Sequence, residues 1–205
     1  MVAQINVNPI ATTNAANTFS ITLDGLMQGM AMDDPASRNW LVGGTLDPAE
    51  TLPLFGGIPI YELLSAGEPA MRPLVKRSTA ANLCTGISVF NQDHSMISTP
   101  QSPVPAALPG MSAHVYRFGS NARIAVAADP ALAAALPGLP ISPTALYWDP
   151  TNQYVTLTTT GGTFALPVAV KVLGWNSGGS MTVTYNGTTG YATWNRTGNC
   201  VLIQI

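Results

Sequence analysis

The sequence predicts a mainly β protein: a small β-sandwich or barrel with an irregular, loop-rich N-terminal half and one short helix. Three observations lead there. Strand-like runs rich in Val, Thr, Tyr and Trp recur at roughly dozen-residue intervals after residue 144, each bounded by Gly, Pro or Asn. Turn formers are dense, with 19 glycines and 17 prolines among 205 residues, which leaves little room for long helices. Only 9% of residues are charged, against about 25% in an ordinary globular domain. Hydrophobic residues reach 46% and mean hydropathy is +0.23, so the composition is that of a folded chain rather than a disordered one. The length suffices for one large domain or two small ones with a real core.

Residues 1–20 read as an extended N-terminal arm. Ile5 and Val7 alternate with Asn6 and Asn8 until Pro9 ends the pattern, and Ile10 follows. A frayed tail is the plain reading. Strand addition to a neighbouring subunit is the functional one, and it makes Ile5, Val7 and Ile10 candidate interface residues.

Residues 21–82 read as a loop-rich β region. Phe19 to Leu23 alternates and Asp24-Gly25 turns. Met27, Met30 and Met32 suit apolar gaps. Asp33 and Asp34 lack the alternating ligands and distal Glu of a calcium loop, so they read as turn or N-cap residues. Ile58 to Leu64 is strand-like, and Pro59 argues for an edge. The basic cluster Arg72 to Arg77 reads as a solvated turn or half of an interface salt bridge.

Residues 83–205 read as the sandwich or barrel core. Its first strands are Gly86 to Phe90, Ser112 to Phe118 and Arg123 to Ala127, with Gly119-Ser120-Asn121 as a hairpin-length connection between the last two. The Pro-rich link 98–111 reads as an extended surface segment. It either lies along another subunit, with Pro103, Val104, Pro105 and Leu108 as contacts, or crosses rigidly between strands. Near 130–136, Asp129 as N-cap and Pro130 at the first position start a short helix that Pro137-Gly138 stops. Strands then follow at Thr144 to Trp148, Gln153 to Thr160, Thr163 to Leu166, Val168 to Leu173, Met181 to Tyr185, Thr188 to Trp194 and Cys200 to Ile205. Asn186-Gly187 is the strongest hairpin signal, and Asn195 to Asn199 reads as a turn. Both Asn186-Gly187-Thr188 and Asn195-Arg196-Thr197 match a glycosylation acceptor. No signal peptide is legible, so both read as ordinary turns.

Little in the sequence points to catalysis. The histidines are His94 and His114. Asp93-His94-Ser95 holds the letters of a triad, but consecutive side chains cannot adopt its geometry. No nucleophile elbow, phosphate loop, H-E-x-x-H or C-x-x-C occurs, so no catalytic residue, cofactor or metal is expected. The three glutamates, Glu50, Glu62 and Glu68, all lie in the loop-rich half. The net charge of −2 without a basic patch argues against nucleic acid, and no run is long enough for a membrane helix. Cys84 and Cys200 allow one disulfide, but two buried thiols fit better, since Cys is commonly a small core residue.

One resemblance rests on particular residues. The run Gly86 to Ile97, the Pro-rich link after it, Val115 to Ile124 and the Asp129-Pro130-Ala131-Leu132 turn resemble capsid decoration (cement) proteins of tailed double-stranded DNA phages. Gly56 to Glu62 and Ala145 to Asp149 fit the same pattern, so the likeness covers about residues 40 to 160. It rests on turn residues and strand aromatics rather than a chemical signature. The resemblance implies a structural virion protein, not an enzyme. Such a protein is made in the host cytoplasm, binds the capsid exterior and bridges major capsid subunits against internal DNA pressure. It also implies self-association as a trimer or dimer. Two alternatives stand beside it: a tail or head-fibre component binding host glycans, and a small β-fold hydrolase.

Overall fold

The computed structural model describes residues 4–7, 19–22, 26–31, 41–64, 72–90, 102–138, 145–167 and 170–205. The protein is mainly β, with a closed barrel and one short helix. Strands β1 (Gln4–Val7) and β2 (Phe19–Thr22) pair antiparallel, with Ile5 opposite Ile21 and Val7 opposite Phe19. One edge of the arm is therefore taken up within its own chain.

The barrel is built from β3 (Leu41–Leu46), β4 (Pro59–Leu63), β5 (Leu74–Arg77), β6 (Gly86–Ser88) and β7 (Ser112–Arg117), in the order β3-β5-β4-β6-β7. Closure comes from β3, which runs antiparallel to β7 and parallel to β5. The division expected near residue 82 thus passes through the barrel, because β5 and β6 share β4 as neighbour. Leu46, Ile60, Val75 and Val115, which the register places on one face, fill the interior. Two glycines of the barrel strands are steric necessities. A Cβ on Gly44 would stand 2.3 Å from Val75 Cγ2, and one on Gly86 2.3 Å from the Tyr116 carbonyl oxygen. The buried Ser88 hydroxyl pins the turn ahead of β4, donating to Phe55 O at 2.7 Å and accepting from Ile58 N at 3.0 Å.

Three sequence expectations are corrected here. Pro59 does not mark an edge, since β4 lies between β5 and β6. It is the first residue of its strand, where a missing N–H is tolerated. The basic cluster is not a turn, because Leu74–Arg77 is β5. Gly119-Ser120-Asn121 does not join a hairpin either. Both edges of β7 are occupied by β3 and β6, so β8 (Arg123–Ala127) must leave the barrel and pair elsewhere. The positive φ values of Gly119 (91°) and Asn121 (58°) make that corner.

The second unit is a three-stranded sheet, β12-β13-β8, of which β12 (Lys171–Asn186) and β13 (Tyr191–Gln204) form one long hairpin. Helix α1 (Pro130–Ala135) begins as expected, with Asp129 Oδ1 accepting from Ala131 N at 3.0 Å. It buries Leu132 and, at its C-cap, Leu136, four residues apart on one face. A small sheet of β9 (Tyr147–Asp149), β10 (Tyr154–Thr156) and β11 (Phe164–Ala165) completes the chain around the buried Trp148. The expected turn at Asn195 to Asn199 lies instead inside β13. Register shifts beside Ser180 absorb the extra residues as bulges.

Residues 26–31 tie the two units together. Met27 bridges Met181 and Ala31 bridges Ile124 on the second sheet. Gly29 N donates to Ala125 O at 2.7 Å, while Gly29 O accepts from Phe90 N at 2.9 Å on the barrel side.

Candidate interaction surface

The β12–β13 hairpin presents two faces of opposite character, as period-two alternation requires. Val183, Tyr185, Ala192 and Trp194 turn inward over the barrel. Trp194 meets Phe90 edge-on with centroids 5.6 Å apart, and Tyr185 lies 6.5 Å from Phe55. Ser102 Oγ accepts from Ala192 N at 3.0 Å and donates to Ala192 O at 3.2 Å. Val183 N donates to the buried Gln28 side chain at 2.8 Å.

The outward face carries the pairs Thr184–Thr193 and Asn186–Tyr191, all four exposed. Asn195 and Thr197 extend it, with Thr197 donating to Asn195 Oδ1 from both its backbone N–H and its hydroxyl. No Asp, Glu, Lys, Arg or His occurs from Val172 to Asn195. Exposed strands usually carry such charges to discourage edge and face association. Two exposed aromatics belong to the same hairpin, Tyr191 at 45% and Trp175 at 44% exposure.

The sequence-predicted contact residues scatter. Ile5 and Val7 lie on β1, and Ile10 lies outside the described residues. Pro103 and Leu108 are exposed and Pro105 is half-buried. Val104 is fully buried in the core, so it is no surface contact. The link is fastened where Leu54 and Ala107 exchange two backbone hydrogen bonds, at 2.9 and 2.8 Å. Residues 104–107 are therefore a packed crossover, not a loose surface segment. The reason is local: Val104, Ala106 and Ala107 are small or medium apolar residues, and all three are buried.

Several ionisable groups are engaged within the chain. Arg117 makes a two-point contact with Glu62 at 2.7 and 2.9 Å, which raises its pKa. Lys76 pairs with Asp47 at 3.1 Å, while Arg72 is exposed and donates to Ser112 Oγ at 3.4 Å. Arg77 is mostly buried, its guanidinium 4.9 Å from the Phe55 ring centroid with Nη2 donating to Pro53 O. Burial pulls its pKa down to about 10, with Glu50 and Tyr185 opposing. His114 is buried in β7, and His94 lies outside the described residues. The two thiols are unpaired. Burial pushes Cys84 up to about 11 and Cys200 up to about 12, which leaves both protonated and poorly nucleophilic at neutral pH. Among the described residues, no group of three or more His, Cys, Asp or Glu could hold a metal, and no helix is long and apolar enough to cross a membrane.

Sequence alone does not assign the exposure of Tyr191, Thr193 and Thr184. The signal was present in the alternation Thr182-Val183-Thr184-Tyr185-Asn186, but it does not say which side is covered. No family model, curated protein or solved structure matches this chain.

Proposed function

We propose that this chain is a structural virion protein: a decoration or cement protein on the capsid exterior of a tailed double-stranded DNA phage. In this reading it bridges neighbouring major capsid subunits and acts by binding, without catalysis. The observation that carries it is the uncharged outward face of the long hairpin. Threonine and asparagine groups are cheap to desolvate when they find new hydrogen bonds, whereas buried charges are costly. Tyr191 and Trp175 supply the kind of aromatic anchor that dominates protein interfaces. The sequence resemblance across about residues 40 to 160 supports the same reading.

The physical role follows. Packaged DNA pushes outward on the shell, and a bridging subunit adds buried area across the seams between capsomers. Many weak copies then act together, and self-association as a trimer or dimer would match a local symmetry axis. The test is copy number in purified particles, measured against the most abundant shell subunit. A ratio near one, or a simple fraction of it, fits cement bound throughout the shell. Absence from particles sinks the proposal.

A second reading draws on the same exposed rings. Tyr191 and Trp175 could stack on sugar faces, as a fibre component binding host glycans requires. A handful of copies per particle together with saccharide affinity would favour it over cement.

A further inference from the structure

We propose that Asn186 is a site of spontaneous deamidation in the folded protein, turning an uncharged hairpin tip into an anionic one. Asn186 ends β12 and is exposed, as are Gly187 to Gly190. This is the one Asn-Gly pair in the chain. A Cβ on Gly187 would meet nothing within 4 Å, so the reacting atoms have open space around them. The turn is held by Asn186 itself. Its backbone oxygen accepts from Gly190 N at 2.8 Å. Its side-chain Oδ1 accepts from Thr188 N at 2.9 Å and Thr189 N at 3.2 Å. The Gly187 N–H enters none of these bonds, which leaves that nitrogen available to react.

The chemistry needs only water. The Gly187 backbone nitrogen attacks Asn186 Cγ and a C–N bond forms. Negative charge develops on Oδ1, where the Thr188 and Thr189 N–H groups already point, so the turn polarises the carbonyl in the direction the reaction requires. The Cγ–Nδ2 bond then breaks, and ammonia leaves with the proton that Gly187 gave up. Water opens the resulting five-membered imide at either carbonyl, giving aspartate or isoaspartate. Each event adds one negative charge and moves the formal net charge from −2 to −3. Other asparagines lack this combination. Asn152 is followed by Gln153 and Asn195 by Arg196, whose side chains hinder ring closure. Asn199 is half-buried and is followed by Cys200, whose side chain hinders ring closure in the same way.

The test holds the purified full chain in warm, mildly alkaline buffer made with heavy-oxygen water, followed by peptide mapping. The expected result is conversion of Asn186 ahead of every other asparagine, by roughly tenfold or about 1.4 kcal/mol in barrier. Both aspartate and isoaspartate should appear, each with one heavy oxygen. Gly187→Ala, which the open space lets fold, should slow conversion by a similar roughly tenfold factor. The proposal is overturned if Asn186 keeps its amide, if aspartate alone forms, or if Gly187→Ala converts at the unsubstituted rate.

Discussion

Gly29 and Gly56 meet backbone against backbone, where the segment joining the two sheets crosses the barrel. A Cβ built on Gly29 would stand 2.4 Å from Gly56 Cα, and one on Gly56 would stand 2.7 Å from Gly29 Cα. Gly29 also sits at φ 79°, in the left-handed region. Gly29→Ala therefore combines overpacking of about 1–3 kcal/mol with about 1–2 kcal/mol of backbone strain. Gly56→Ala carries the steric cost alone, and should be the milder variant. Urea unfolding of both checks this. Equal midpoints for the two variants and the unsubstituted chain would mean the segment does not hold the units together.

Gln28 is the polar counterpart of that contact. It is 1% exposed, donates Nε2 to Gly56 O at 3.2 Å in the barrel, and accepts from Val183 N at 2.8 Å in the hairpin. Gln28→Leu keeps the bulk but leaves a buried N–H and C=O unpaired, so a loss of about 2–4 kcal/mol is expected. Gln28→Glu keeps the acceptor for Val183 but sets a carboxylate against the Gly56 carbonyl. Burial and that carbonyl should raise the new group's pKa. The variant should then be weakest at neutral pH and partly recover as pH falls and the carboxyl becomes a donor again. A stability difference that does not change with pH would show that the side chain is not engaged with Gly56.

The class of this fold was legible because strands announce themselves locally. The Asp129-Pro130 helix start, a strand at Ser112–Arg117 and the final apolar strand all appear where residue order alone places them, although four consecutive residues of the Ser112–Arg117 strand are buried instead of alternating. Pairing was not legible, because it depends on which edges are already taken. Gly119-Ser120-Asn121 has the length and chemistry of a hairpin, yet β3 and β6 occupy both edges of β7. Val104 looked like a surface residue among prolines, and the bridge between Leu54 and Ala107 buries it. The candidate surface was half legible. The alternation in Thr182 to Asn186 marks two faces, but only the barrel residues Phe55 and Phe90 decide which face is covered.

The buried thiols give a stability profile on the alkaline side. Cys84 and Cys200 stay protonated up to about 11 and about 12 in the folded protein, against 9.0 for an ordinary thiol. Below about pH 9 both states hold both protons, and the contribution is complete. Above it the unfolded chain releases protons that the folded chain keeps, so stability falls as pH rises. Arg77 works the other way, since burial lowers it to about 10 from 12.5. Above about pH 10 the folded state sheds that proton first, which offsets part of the loss. The thiols lead the decline in the window between about pH 9 and about pH 10, because Tyr154 and Lys76, whose pKa values are also raised, from 10.0 and 10.5, add most of their share above that window. Urea midpoints should decline across it, and the double variant Cys84→Ala, Cys200→Ala should flatten the decline. An unchanged slope in that variant would remove the thiols as the cause.

The two faces of the hairpin should separate folding from association. Trp194 packs inward on Phe90, so Trp194→Ala should lose about 2–4 kcal/mol, below a fully buried tryptophan because it is only half-buried. Tyr191 and Thr193 point outward, and Tyr191→Ala or Thr193→Lys should stay within about 0.5 kcal/mol of the unsubstituted chain. Binding to shells that lack this protein should show the reverse order at matched, folded conditions. Thr193→Lys puts an ammonium on an uncharged face, and burying it against a partner without a carboxylate is costly. Its affinity should fall by roughly tenfold or more, or about 1.4 kcal/mol, while its melting temperature stays put. Thr184→Glu tests the same face with the opposite sign. If both charged variants bind shells as well as the unsubstituted chain, the contact lies elsewhere, and the exposed Pro103 and Leu108 become the next residues to change.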